Sequence, residues 1–180
     1  SAKLPLARRF AVKQHMPRFD GERLDTIIDF LTYVVVPTVA MLRGGLLPGE
    51  IGFVLAGGIL MSSLFHVSDS QSKTVDNCFV GFPAIWNVVA LYLFAFGASA
   101  VVAVVVTTAC IGLTFVPWKW VHPVRVIRFR TVTLGVMAAW GAAALVAVLG
   151  GFPTASWIQA VLAATGLYGI AISLSQGPAR

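Results

Sequence analysis

Positions Leu24–Leu42 read Leu-Asp-Thr-Ile-Ile-Asp-Phe-Leu-Thr-Tyr-Val-Val-Val-Pro-Thr-Val-Ala-Met-Leu, and Asp25 and Asp29 are the only charged residues in the run. At about 1.5 Å of rise per residue, a helix of this length reaches across a hydrocarbon core roughly 30 Å thick. Five more apolar runs follow, over Gly49–Phe65, Phe79–Phe96, Ala98–Val116, Val132–Leu149 and Ser156–Leu174. Backbone polar groups in lipid must be satisfied within their own segment, which a helix does and an isolated strand does not. Spanning strands would show alternating character over about 10 residues, and none of these runs alternates. The fold class expected is therefore all-α, a polytopic transmembrane helix bundle of about six spans, in one domain over residues 1–180.

Composition agrees. Apolar residues make up 58% of the chain and charged residues 11%, with a mean hydropathy of +0.86. Soluble domains carry about 25% charged residues, so a soluble globule is excluded. Breaks fall between the runs: Gly44, Gly45, Pro48 and Gly49 after the first, and Gly150, Gly151 and Pro153 before the last. Only Phe96, Gly97, Ala98 and Ser99 join the third run to the fourth, which predicts a tight helical hairpin. The basic start lacks an apolar core followed by a cleavage site, so it does not read as a signal peptide. Cys78 and Cys110 have neither disulfide-framework nor metal-ligand spacing and read as packing residues.

The net charge of +6 is distributed unevenly. Lys3, Arg8, Arg9, Lys13, Arg18 and Arg23 precede the first run; Lys73, Lys119, Arg125, Arg128, Arg130 and Arg180 fall in loops or ends on the same side of an alternating six-span path. Arg43 alone falls on the other side. Positive charge marks the cytoplasmic face of membrane proteins, so the charge points to topology rather than to nucleic acid. Both termini and the loops near Lys73 and Arg125 are expected in the cytoplasm.

The chemistry concentrates at the start of the first run, Gly21-Glu22-Arg23-Leu24-Asp25-Thr26-Ile27-Ile28-Asp29. Gly21, Asp25 and Asp29 are four apart and share one helix face. Acidic side chains within a span are costly and commonly mark a site. Two carboxylates one turn apart repel unless a cation or proton lies between them, and oxygen ligands suit Mg²⁺ or Mn²⁺. Gly21 leaves room for a ligand to approach the backbone. A structural alternative has Asp25 favouring the helix N-terminus while Asp29 pairs with an arginine such as Arg23.

The run Gly-x-x-x-Asp-x-x-x-Asp over Gly21–Asp29 resembles the second half of the CDP-alcohol phosphotransferase signature, and Pro5-Leu6-Ala7-Arg8 matches its x-x-Ala-Arg element. The long spacer from Arg9 to Asp20 is similar to the phosphatidylcholine synthase branch. So are the first span, Gly81-Phe82-Pro83-Ala84-Ile85-Trp86-Asn87, Phe115-Val116-Pro117, His122-Pro123-Val124-Arg125 and Ala164-Thr165-Gly166-Leu167-Tyr168. The family's Asp-x-x-Asp-Gly element would fall at Ser1–Leu4, where Lys3 and Leu4 stand instead. The chain is thus expected to be N-terminally truncated, without the first spans of the family, or to have lost catalysis. As it starts here it is expected not to make phosphatidylcholine unaided.

That resemblance implies transfer of a phosphatidyl group from CDP-diacylglycerol to choline, releasing CMP, at the cytoplasmic side of a bacterial inner membrane. Mn²⁺ or Mg²⁺ would be the cofactor and membrane lipids the surroundings, with a homodimer common in the family. It makes Asp25 and Asp29 metal ligands and Asp29 the catalytic base. Arg8 and Gly21 would lie against the nucleotide and its phosphates. Arg125 or Arg128 would hold the lipid phosphate, although topology and attraction to anionic headgroups also explain that loop. Choline is a quaternary ammonium and favours aromatic faces, which makes Tyr33, Trp86 and Trp118 candidates; the tryptophans also suit an interfacial aromatic belt. His122 and the Asp69, Lys73, Asp76 loop read as loop residues. Open alternatives are a non-catalytic or degenerate membrane protein, a transporter half, and a family member that uses serine, inositol or glycerol phosphate.

Overall fold

The computed structural model describes residues 20–69, 78–121 and 129–175. Among them the chain forms α1 (Gly21–Phe30), a π-helical turn (Leu31–Val35), α2 (Val36–Arg43), α3 (Gly49–Ser68), β1 (Cys78–Val80), α4 (Trp86–Ala95), α5 (Ala100–Thr114), β2 (Lys119–Val121), α6 (Arg130–Gly150) and α7 (Ser156–Leu174). The fold is all-α apart from one short antiparallel ribbon, in which Phe79 faces Trp120. Four helical stretches are long and apolar enough to cross a membrane: Arg23–Arg43, which continues α1 through the π turn into α2, then α3, α6 and α7. Phe53 and Val54 on α3, Val101 and Val105 on α5, Leu145 and Leu149 on α6 and Leu167 and Ile170 on α7 stay exposed, as lipid-facing side chains do.

The expected count of six full spans is corrected here. The third and fourth apolar runs form shorter helices, 10 residues in α4 and 15 in α5, and α4 covers only about 15 Å at 1.5 Å per residue. The cause lies before Trp86. Pro83 has no N–H and restricts Phe82 to extended backbone. Gly81 adopts a left-handed φ of 78° with its Cα against the Thr114 carbonyl, where a Cβ has no room. Gly81 N donates to the Trp118 carbonyl and Phe82 N to that of Leu113, both at 3.0 Å. Cys78-Phe79-Val80, rich in strand-forming residues, therefore pairs with Lys119-Trp120-Val121 instead of extending the helix.

Two apolar clusters hold the bundle. One joins Val34, Met41, Leu46, Leu47, Leu55, Ile59, Phe82, Trp86, Leu93 and Ala103, from the π turn to α5. The other packs Ala95 against Ala143 and Ala147 of α6 and Ile158 and Leu162 of α7. The connecting turns gather at one end. The Ala95 carbonyl accepts from Thr154 N, Thr154 Oγ1 and Gln159 Nε2 at 3.0, 3.2 and 2.9 Å. The Phe94 ring lies 5.6 Å from that of Phe152 and fills the space beside Gly44. The ribbon marks the other end, where Phe65 at the close of α3 meets Phe115 at 5.2 Å.

Candidate functional site: an acidic helix face at the first span

α1 starts at a cap. Asp20 precedes it, its side chain accepting from Arg23 N at 3.4 Å and its Oδ2 lying 3.3 Å from Arg23 Nε. An aspartate in this position satisfies one of the free N–H groups of the first turn. Arg23 therefore turns back to Asp20. Leu24, Ile27, Ile28 and Leu31 form the apolar face of α1, at the i, i+3, i+4, i+7 spacing of one helix side. Gly21, Asp25 and Asp29 form another, and all three are exposed. Among the described residues, and apart from its chain neighbours and its own helix backbone, nothing stands within 4 Å of the place a Gly21 Cβ would occupy.

Past Asp29 the helix widens. Val36 N donates to the Leu31 carbonyl, five residues back, and the Thr32 hydroxyl donates to the Ile28 carbonyl at 2.8 Å. Pro37 explains the widening: its ring crowds the carbonyl four residues earlier, that of Tyr33, and a wider turn relieves the contact. Tyr33 sits inside this turn, 44% exposed. Sequence reasoning named Tyr33 but not the turn that carries it, although Pro37 was the available signal.

The structure thus brings Gly21, Asp25, Asp29 and Tyr33 onto one helix at four-residue steps. The two tryptophans belong elsewhere. Trp86 is 1% exposed, T-shaped against Phe82, and its Nε1 donates to Ser63 Oγ at 2.9 Å; its ring is enclosed by protein. Trp118 precedes β2 and is half-buried, its Nε1 covered and without an acceptor among the described residues. Arg8, Arg125, Arg128 and His122, with Lys73 and Asp76, lie outside the described residues.

Among the described residues no three His, Cys, Asp or Glu side chains converge as a metal centre. The donors on the Gly21–Asp25–Asp29 face are two carboxylates and nothing softer. That chemistry fits Mg²⁺ or Mn²⁺ rather than a thiolate- or imidazole-seeking metal. Mg²⁺ in particular is commonly held by one or two carboxylates, with substrate phosphates and waters completing six oxygens.

A polytopic helical membrane protein with a paired-carboxylate face at the start of its first described span is the class that fold and site define. No family model and no solved structure matches the chain. Curated proteins do. It is 40% identical over 164 residues to a phosphatidylcholine synthase of Rhizobium meliloti, an alignment covering 91% of this chain and 68% of that protein. It is 41% identical, with the same coverage, to the phosphatidylcholine synthase of Agrobacterium fabrum. Against that of Pseudomonas aeruginosa it is 40% identical over 135 residues, 75% of this chain and 57% of the other. The chain belongs to the phosphatidylcholine synthase family.

Proposed function

We propose that this protein transfers the phosphatidyl group of CDP-diacylglycerol to choline, giving phosphatidylcholine and CMP. The observation that carries the reading is the exposed Asp25–Asp29 face on the first described span of a chain from this family. Asp29 takes the proton of the choline hydroxyl. The freed oxygen bonds to the lipid-side phosphorus as the bond from that phosphorus to the CMP oxygen breaks. Asp25 and Asp29 would hold Mn²⁺ or Mg²⁺, which when bound neutralises charge on the diphosphate and on the departing CMP. Proton removal by Asp29 and attack on phosphorus are expected to run together. Open backbone at Gly21 admits the nucleotide. Arg8, Arg125 and Arg128 have the planar guanidinium that phosphate favours.

The same reading sets the active side in the cytoplasm of a bacterial inner membrane, in a homodimer. Its test is product identity. Membranes containing the protein at its full natural length are given CDP-diacylglycerol, Mn²⁺ and, in parallel, choline, serine, inositol or glycerol phosphate, and the lipids are resolved by mass spectrometry. Phosphatidylcholine and CMP in equal amounts, from choline alone, is the expected result. A different phospholipid assigns a different acceptor, and no new lipid from any acceptor refutes the transferase.

A further inference from the structure

Tyr33 is exposed inside the first span while most aromatic rings nearby, Trp86 and Phe82 above all, are packed into the core. Its exposure leaves the ring accessible one turn beyond a pair of exposed carboxylates. Its register is set by the π turn. In a regular helix four residues advance about 400°, so each step along an i, i+4 row drifts about 40° around the axis. Gly21, Asp25 and Asp29 drift in this way. A π turn spends more residues on each revolution, and each residue inside it advances by less. The turn at Leu31–Val35 therefore reduces the drift between Asp29 and Tyr33 and keeps Tyr33 closer to the Asp29 row than a regular helix would.

The turn is built in. The Thr32 hydroxyl is bonded to the Ile28 carbonyl at 2.8 Å and the Thr38 hydroxyl to the Val34 carbonyl at 2.6 Å. Pro37 blocks the regular hydrogen bond between them, and both Pro37 and Thr38 are buried. Single wide turns of this kind within α-helices are frequent at functional sites.

Resting on the reaction proposed above, we propose that Tyr33 is the residue that selects a quaternary ammonium acceptor, its ring face receiving the trimethylammonium group while Asp29 takes the hydroxyl proton. The spacing suits the substrate. Four residues of helix rise about 6 Å, and a cation is attracted to a ring face within about 6 Å of its centroid. Choline's hydroxyl and ammonium are two carbons apart, so one end reaches the carboxylate while the other lies on the ring. A trimethylammonium group cannot donate a hydrogen bond, so an aromatic face is the surface that distinguishes it from the ammonium of serine or ethanolamine.

The experiment compares the full-length wild type with its Tyr33→Phe, Tyr33→Trp and Tyr33→Leu variants in membranes, with choline, dimethylethanolamine and ethanolamine as acceptors. KM is the readout because it does not depend on how much protein inserts. Phe and Trp keep an aromatic face and are expected to hold the choline KM within about twofold, while Leu raises it by roughly tenfold, the size of a well-placed cation–π contact. The preference for choline over dimethylethanolamine falls with it. An unchanged choline KM and preference in Tyr33→Leu overturns the contact while leaving the transferase intact. Phe failing as badly as Leu also overturns it, because the hydroxyl and not the ring face would then be what matters. A wild type that makes no phosphatidylcholine removes the reaction and this contact together.

Discussion

The indole N–H of Trp86 donates to the hydroxyl of Ser63 at 2.9 Å across 23 positions of sequence, and both side chains are enclosed by protein. The bond fixes the first residue of α4 against α3. Inside a lipid-bounded core neither group has water as an alternative, and leaving either unpaired costs about 1–3 kcal/mol.

Replacing Trp86 by Phe is therefore expected to lower the thermal midpoint in detergent, through the lost bond and the lost ring area together. Ser63→Ala should cost less, and adding it to Trp86→Phe should cost almost nothing more, because the partner is already gone. Additive losses would show that the two side chains do not act as a pair. The choline KM should stay unchanged in Trp86→Phe, in contrast to Tyr33→Leu.

Tyr92 and Gly166 offer a second test of packing. The Tyr92 hydroxyl donates to the Leu162 carbonyl at 2.8 Å and joins α4 to α7. A Cβ at Gly166 would lie 2.6 Å from that hydroxyl oxygen. Gly166→Ala is expected to destabilise by about 1–3 kcal/mol, as overpacking does. Tyr92→Phe loses about 1 kcal/mol with the hydrogen bond but clears the oxygen from the site. Gly166→Ala should then be milder in the Tyr92→Phe background. Equal penalties in both backgrounds would mean that α7 does not approach Tyr92 in this way.

Orientation in the membrane follows from the two ends of the bundle. Among the described residues, Arg43 lies at the turn end, joined there by the contacts of Gly44, Phe94 and Phe152, while Lys119 and Arg130 lie toward the ribbon end. Cysteines placed singly at Gly45 and Ala155, both exposed, in a background without Cys78 and Cys110, should react with an impermeant maleimide on intact cells. One placed at Arg130 should react only after the membrane is opened. The reverse pattern would invert the orientation drawn from the charges.

How much of this was legible in the sequence varies with the length of the physical signal. The last span was read to its observed ends, Ser156 and Leu174, because Gly150, Gly151 and Pro153 separate it cleanly. The run Phe79–Phe96 hides its break because apolar strand and apolar helix have the same hydropathy; Gly81 and Pro83 carry the distinction. Trp86 and Trp118 looked alike as interfacial aromatics, since composition does not tell which ring finds a hydroxyl such as Ser63 inside the fold. The four-residue row of Gly21, Asp25 and Asp29 was legible because it is purely local. The π turn was signalled only by Pro37, whose clash with the carbonyl four residues earlier can be relieved by a kink or a break as well as by a wide turn.

The most direct measurement is choline-dependent CMP release, with CDP-diacylglycerol and Mn²⁺, by membranes holding equal amounts of the full-length wild-type protein and its Asp25→Asn and Asp29→Asn variants. Both substitutions are nearly isosteric, and both side chains are exposed, so insertion should be unaffected. A positioned proton acceptor contributes about 10²–10⁴-fold. Asp29→Asn is expected to lose activity by that order at every Mn²⁺ concentration. Asp25→Asn is expected to lose it in a way that added Mn²⁺ partly restores. Near-normal turnover in Asp29→Asn would contradict the account, since the acidic face of the first span would then not be where the alcohol is activated.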